Sequence, residues 1–340
     1  MPFQYFRFIR PPPRQIAPNQ RFKLIYSLTN DLGDESYSPP FDPRFSLIDS
    51  CTHAEIEGAC RLVKKLEKGT PGENIVEVAI SNTLSIGIRV KIRIDIGKEI
   101  SGGLSQFVGS QNGQVVVIPV LSADISVVRA NAPVSNTLVL QAERHFYLPD
   151  NRCAIVSEET GHSIARRIWD CGVMLAWIFT DKTFVKQLGV DASTRFLELG
   201  AGCGPVSIVA ASILSAHFTL TDVEEAIPLL HQNCTQNSLK ADVVELDWGQ
   251  LNDEVVGRVG GVDVILLADV LYNESSHGIL LDTLCWFSRH INPRIKIVLA
   301  YKFRHESELN FFDMLKPHFS RKKLRQEMDI CVYLLEPIPI

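Results

Sequence analysis

At 340 residues the chain has room for roughly two domains of ordinary size. Its 34 Lys and Arg against 39 Asp and Glu leave a net charge of −5, which argues against a protein that coats DNA or RNA through a strong basic field. With 46% hydrophobic and 21% charged residues the chain can bury a core, so wholesale disorder is excluded.

The opening stretch, MPFQYFRFIRPPP, lacks a long apolar run and is not expected to act as a signal peptide. The rest of the first half is strand-like. Ile86, Ile88, Val90, Ile92, Ile94 and Ile96 alternate with Gly87, Arg89, Lys91, Arg93 and Asp95. That period of two predicts a strand with one face on a core and the other in water. Weaker strand patterns cover 22–29, 75–81, 114–120 and 125–129, separated by turn-rich pieces at 30–33, 38–43, 69–72 and 102–113. Ile56, Ala59, Val63 and Leu66 lie at helical spacing and predict one helix near 54–66. The expectation is a smaller β-rich accessory domain over 1–150, sandwich-like and without a chemical motif. Its plainest use is to stabilise the chain or bind a partner. The eight cysteines are scattered, with no C-x-x-C pair, so neither a disulfide scaffold nor a metal site is expected.

After about Asp150 the rhythm changes, and 151–340 reads as an α/β domain. A helical region over 164–179 holds Trp169, Met174 and Trp177. It is followed by a strand at 194–199, a helix at 206–214, a strand at 217–221 and a helix at 224–237. Strands at 242–246 and 262–268, a helix at 277–290, a strand at 296–300 and a helix at 306–315 complete the alternation. Such a pattern predicts a mostly parallel sheet with helices on both faces. Two closing strands near 322–328 and 331–335 have no helix between them and should form an antiparallel hairpin. Leu199 through Thr221 contains no Asp, Glu, Lys or Arg, but glycines, serines and Pro205 interrupt it. It reads as a strand end, a glycine loop, a buried helix and a second strand, not as a membrane span.

The informative segment is Phe196-Leu-Glu-Leu-Gly-Ala-Gly-Cys-Gly-Pro205. A strand runs into Gly200, Gly202 and Gly204, and a helix comes next. Glycines permit a tight turn and close approach of a ligand, and the helix N-terminus offers unpaired N–H groups. Open α/β sheets bind ligands at this end of their strands. Asp222 ends the next strand, twenty residues after Gly202, where a carboxylate can accept both hydroxyls of a ribose. A dinucleotide fingerprint needs a third glycine five residues after the first; Pro205 stands there instead. Glu198 adds a negative charge that would repel a pyrophosphate and welcome a cation. S-adenosylmethionine carries an ammonium, a sulfonium and a ribose but no phosphate, so the charges favour it over NAD.

Leu246-Asp247-Trp248-Gly249 comes after the third strand of this half, and Asp269-Val-Leu-Tyr272 after the fourth. Ile168-Trp169-Asp170 precedes the apolar helix. With the glycine loop and Asp222, these pieces resemble the seven-β-strand lysine methyltransferase family, the intracellular enzymes similar to nicotinamide N-methyltransferase. The resemblance spans about 155–338. It implies a Rossmann-like sheet of order 3-2-1-4-5-7-6 and S-adenosylmethionine as co-substrate, without a metal. It implies that Trp169 lies near the methionine end of the donor, and that Gly200, Ala201 and Gly202 line the methionine and ribose. Asp222 would hold the ribose. Trp248 would lie against the adenine with Asp247 near its amino group, and Ala268 would floor the pocket. Asp269 and Tyr272 would border the acceptor mouth as the catalytic pair, with Asp269 capturing a charged lysine.

The function so implied is N-methylation of lysine side chains on a non-histone intracellular protein. The implied partners are a protein substrate, no nucleic acid and no membrane, for a monomer in the cytoplasm and also the nucleus. A small-molecule N-methyltransferase is the nearest alternative. A nucleotide-dependent oxidoreductase and a non-catalytic scaffold of the same fold rank behind it. Asn-Pro-Pro-Tyr, the acceptor signature of nucleic-acid methylation, is absent.

Overall fold

The computed structural model describes residues 3–38, 42–66, 72–96, 116–133, 139–159, 163–251 and 253–339. The turn anticipated at 102–113 lies outside them, as do parts of 38–43, 69–72 and 114–120. The chain divides into two compact units: Met1–His145 with Ser157–His162, and Phe146–Val156 with Ser163–Ile340. No single cut near residue 150 separates them, because the chain enters the second unit, returns to the first, and leaves again.

The first unit is built from β1 (Phe3–Arg10), β2 (Gln15–Ile16), β3 (Arg21–Thr29), β4 (Arg44–Asp49), β5 (Cys60–Lys65), β6 (Asn74–Ile80), β7 (Arg89–Asp95), β8 (Val116–Ile118), β9 (Val120–Ser122) and β10 (Ile125–Val127). Two further strands, β11 (Gln141–Tyr147) and β12 (Cys153–Glu159), carry the chain between the units. One sheet has the order β5-β6-β3-β1-β8; the other runs β12-β11-β9-β7-β10-β2, with β4 along β7. Phe6, Leu24, Tyr26 and Val78 of the first sheet share one hydrophobic core with Leu47, Val90, Ile92 and Ile94 of the second.

Two expectations for this half are corrected. The helix near 54–66 is instead the strand β5, paired antiparallel to β6 with Leu62 opposite Val78. Ile56 and Ala59 reach the core from either side of a turn at 57–58 and Leu62 from β5, so tertiary pairing overrides the helical spacing. The alternating stretch at 86–96 does form β7, but only from Arg89, and Ile86 is 56% exposed. Beyond Arg89, its polar row is also not in water. Lys91 is only 6% exposed, with Nζ 2.6 Å from Glu143 Oε1, and Arg93 Nε lies 2.7 Å from Asp95 Oδ2. Ion partners replace the solvent that the alternation implied. Burial alone would push the Glu143 carboxyl up, but His145 and Lys91 outweigh it and hold the group low.

The second unit holds a sheet of β13 (Arg195–Leu199), β14 (His217–Asp222), β15 (Asp242–Glu245), β16 (Val264–Ala268), β17 (Lys296–Lys302), β18 (Phe319–Glu327) and β19 (Ile330–Pro337). Their order is β15-β14-β13-β16-β17-β19-β18, which is 3-2-1-4-5-7-6 when counted within this sheet. β13 to β17 are parallel, and β19 is antiparallel to both neighbours. The helices are α1 (Asp170–Ile178), α2 (Lys182–Leu188), α3 (Pro205–Ile213), α4 (Ile227–Gln236), α5 (Asp253–Val259), α6 (His277–His290) and α7 (Leu309–Leu315). β17 shows why both faces are covered. Ile297, Leu299 and Tyr301 pack with Leu284 of α6 and Phe311 of α7, while Lys302 Nζ reaches Asp170 of α1, 2.6 Å away. Ile297, Val298, Leu299 and Ala300 are all fully buried, as strands between two helical layers must be.

α1 begins later than the 164–179 pattern suggests. Trp169 is extended (φ −119°, ψ 157°), and its indole Nε1 donates to Ile164 O at 3.0 Å, so 164–168 is irregular chain. Gly204 marks the start of α3 in a left-handed conformation, φ 76°. A Cβ there would meet Leu220 Cδ2 and Leu230 Cδ2 at 2.9 Å. Gly204→Ala is therefore expected to cost about 2–4 kcal/mol, from backbone strain plus overpacking. Denaturant unfolding would register it as a lowered midpoint. Gly257→Ala, in α5 with nothing near its Cβ, should leave the midpoint unchanged or raised.

Candidate functional site

The site is assembled at the carboxyl ends of the parallel strands. Phe196, Leu197 and Leu199 are buried and drive β13 through the core, after which the chain must turn at once into α3. Gly200, Gly202 and Gly204 all adopt positive φ, at 67°, 58° and 76°. The turn is anchored where Ala201 N–H donates to Thr221 O, 2.9 Å away. A Cβ on Gly200 would lie 3.1 Å from Trp248 Cζ2 and 3.2 Å from Val270 Cγ1. On Gly202 it would lie 3.1 Å from Ala165 O. The glycines thus serve the chain's approach to itself. Trp248 leans on the loop from the β15 exit, and 164–168 passes over Gly202.

Asp222, at the end of β14, closes this loop. Its Oδ2 accepts Gly202 N–H at 2.7 Å and its Oδ1 accepts Val223 N–H at 2.8 Å. Burial raises its carboxyl above the ordinary range although both N–H groups oppose the shift. Each oxygen keeps a lone pair, so two further donors such as the hydroxyls of a diol can still bind and relieve the cost of burial.

Glu198 differs from the sequence expectation. It is 2% exposed and does not present a bare charge to the cleft; Oε2 accepts Ser207 N–H of α3 at 3.0 Å. Helix-start N–H groups attract an acceptor, and the buried side of β13 is where one is available. Burial pushes its carboxyl up to about 7, and Asp222 adds to the rise.

Asp269 comes directly after β16 in a left-handed conformation, φ 59°. Its Oδ2 accepts Cys171 N–H, at the first turn of α1, at 2.7 Å. Its Oδ1 is ion-paired with Arg304 Nη1, and the side chain is only 7% exposed. The carboxylate that the sequence reading assigns to capture of a charged lysine therefore already has partners within the fold. A guanidinium two residues beyond β17 already partners it. Tyr272 is 60% exposed, and its hydroxyl is pushed up by burial and by the charge of Asp222. Ala268 is half-buried at the end of β16, Asp247 is exposed and accepts Gln250 Nε2 at 2.7 Å, and Trp169 is half-buried at the start of α1.

Sequence reasoning missed Arg304 and Lys302 as neighbours of Asp269 and Asp170. A signal existed: Tyr301-Lys-Phe-Arg304 leaves the fifth parallel strand at the same end as Gly200, Asp222 and Asp269. Among the described residues, no cluster of three or more His, Cys, Asp and Glu could hold a metal ion. Among them too, no helix is long and apolar enough to cross a membrane.

A family model described as lysine methyltransferase matches residues 149–318. Protein N-lysine methyltransferase METTL21A of Danio rerio is 34% identical over 202 residues, 57% of this chain and 87% of that protein. UPF0665 family protein C23C4.06c of Schizosaccharomyces pombe is 27% identical over 331 residues, 92% of each chain, so its similarity extends through the β-rich unit. Among solved structures, the T. thermophilus 16S rRNA N2 G1207 methyltransferase RsmC, in complex with AdoMet and guanosine, aligns at TM-score 0.42 and 13% identity, over 83% of this chain and 58% of that one.

The Glu198 carboxyl yields a pH prediction. Its folded value, about 7, exceeds the ordinary value of 4.5, so the folded chain binds more protons than the unfolded chain between those limits. Stability from this group is full below about pH 4.5 and declines as pH rises toward 7. Glu198→Gln should flatten that decline, measured as denaturant midpoints at pH 5 and pH 8. An identical slope in both proteins would remove Glu198 as its source.

Proposed function

The chain belongs to the lysine methyltransferase family, and on that premise we propose that it transfers a methyl group from S-adenosylmethionine to the ε-amine of a lysine in a non-histone intracellular protein. The observation that carries the proposal is the loop Gly200–Gly202 closed onto Asp222 by a 2.7 Å hydrogen bond, with Trp248 laid against it. The residues fit the donor. Asp222 has lone pairs for the two ribose hydroxyls, the Trp248 indole offers a face for the adenine, and Asp247 stands beside it as an acceptor for the amino group. Gly200, Ala201 and Gly202 would line the methionine and ribose, with Trp169 near the methionine end and Ala268 beneath. Glu198 would act from behind, bracing α3 against the loop.

When bound, S-adenosylmethionine supplies a methyl group already activated on a sulfonium, so a covalent enzyme intermediate is not needed. The chain's task is alignment of the attacking nitrogen, and proximity of this kind can contribute about 7–11 kcal/mol. A lysine with an ordinary pKa near 10.4 needs about 4–5 kcal/mol to expose its lone pair at neutral pH. Asp269 and Tyr272 would border the mouth and orient the amine. Within the same reading the first unit is an accessory domain, the chain is a monomer of the cytoplasm and nucleus, and the group most akin to it is the nicotinamide N-methyltransferase-like one.

Two substitutions separate the roles. Asp222→Ala should weaken donor binding by roughly 10- to 100-fold in calorimetry, since a charged acceptor is lost. Asp269→Ala should leave donor affinity nearly intact and lower transfer on the order of 100-fold, as misplacement of a reacting group does. Incubation with labelled donor and a cell lysate, followed by mass spectrometry, should find label on lysine. Label confined to small metabolites would refute the protein acceptor, and absence of donor binding would refute the whole proposal.

A further inference from the structure

We propose that Arg304 is a positioning residue that makes Asp269 one half of a neutral pair, so that the carboxylate orients the acceptor lysine without holding it as an ammonium. The inference rests on the acceptor reading above.

A carboxylate beside an amine favours the charged form and raises its pKa by roughly 1–3 units. Standing alone, Asp269 would therefore capture a lysine and also block its reaction. The structure resolves this conflict by ion-pairing Asp269 Oδ1 with Arg304 Nη1, while Oδ2 accepts Cys171 N–H at 2.7 Å. A guanidinium does not deprotonate in proteins, so the compensation holds at every working pH. Its position is built, not incidental. Arg304 N–H donates to Glu308 Oε2 at 3.0 Å, and the same oxygen accepts Tyr301 O–H at 3.1 Å, with Glu308 buried. Two residues back, Lys302 is fixed on Asp170 at 2.6 Å and lies 3.8 Å from Asp329.

Among the described residues, charged groups thus stand near the pair on α1, at the exit of β17, in the turn before α7 and in the β18–β19 turn. Asp170 and Lys302 cancel each other, while the Glu308 carboxylate is taken up by Arg304 N–H and Tyr301 O–H and Asp329 lies beside Lys302. Burial and Asp269 push the neighbouring Cys171 thiol well above its ordinary value, and Arg304 acts in the opposite sense. A third group beside the pair thus feels the two charges with opposite sign, as an incoming lysine would.

The test is the pH dependence of lysine methylation, read by mass spectrometry as methyl-lysine formed from isotopically labelled S-adenosylmethionine in a dialysed cell lysate, between pH 6.5 and 10. Donor affinity is measured for each variant by calorimetry. Arg304→Gln leaves Asp269 uncompensated and should move the alkaline midpoint up by at least about one unit, a roughly ten-fold loss at pH 7 recovered near pH 10, with donor affinity within about three-fold. Arg304→Lys keeps the charge and should keep the wild-type midpoint. If Arg304→Gln does not fold, Arg304→Lys and the double variant Asp269→Asn/Arg304→Gln carry the test. Both are balanced at this pair, and both should retain the wild-type midpoint at reduced rate. A Gln profile that superimposes on wild type overturns the role of Arg304 alone, as does a balanced variant displaced by a unit. A wild type that binds donor yet forms no methyl-lysine overturns the acceptor reading beneath it, and the inference with it.

Discussion

One carboxylate in a left-handed backbone position ties the catalytic half together. Asp269 sits where β16 ends, and from there it holds the first turn of α1 through Cys171 N–H and the exit of β17 through Arg304. Its neighbour pair, Lys302 and Asp170, repeats the connection one layer deeper. A helix start carries unpaired N–H groups and partial positive charge, so an acid is the side chain that satisfies it. The same α1 start continues the 164–168 chain that crosses Gly202. The glycine loop and the Asp269–Arg304 pair therefore both meet the chain at the start of α1, and the left-handed strain at Asp269 is the cost of bringing its carboxylate to that point.

Much of this arrangement is legible in the order of residues. The run from Leu199 to Thr221 reads as a strand end, a turn of glycines, an apolar helix and a second buried strand, because charge is absent and positive φ is needed. α6 at His277–His290 keeps closely to its hydrophobic period. α2 escapes the periodic reading because seven residues show too few repeats, although Asp181 capping Thr183 N–H and Gly189 at φ 64° are ordinary start and stop signals. The β5 region fails for a different reason. Its helical spacing is real, but a ladder with β6 is worth more than local preference.

The site shows the same division. Asp222 and the glycines are legible because their chemistry is local to a strand end. For Glu198 the spacing fixes its place on β13 but not its partner, and its carboxylate accepts Ser207 N–H at the start of α3. The place of Arg304 at a strand exit is legible, but its pairing is not, because the partner lies 35 residues away and no local pattern encodes a pair of that separation. Long-range ion pairs also decide the polar face of β7, where Lys91 meets Glu143 across 52 residues. Buried charges of this kind add little net stability, yet removing one partner is costly, so they fix register more than they add strength.

The hairpin of β11 and β12 has a consequence for how the chain is made. Arg144 lies in the first unit before the excursion and Glu158 after it, with Nε and Oε1 2.7 Å apart in a fully buried pair. On the ribosome, the β-rich half cannot satisfy that guanidinium until the segment beyond residue 156 has emerged, by which time the opening segment of the other half has already been synthesised. The two halves are thus interleaved in time as well as in sequence. A fragment ended at residue 150 would inherit an arginine that has lost its acid.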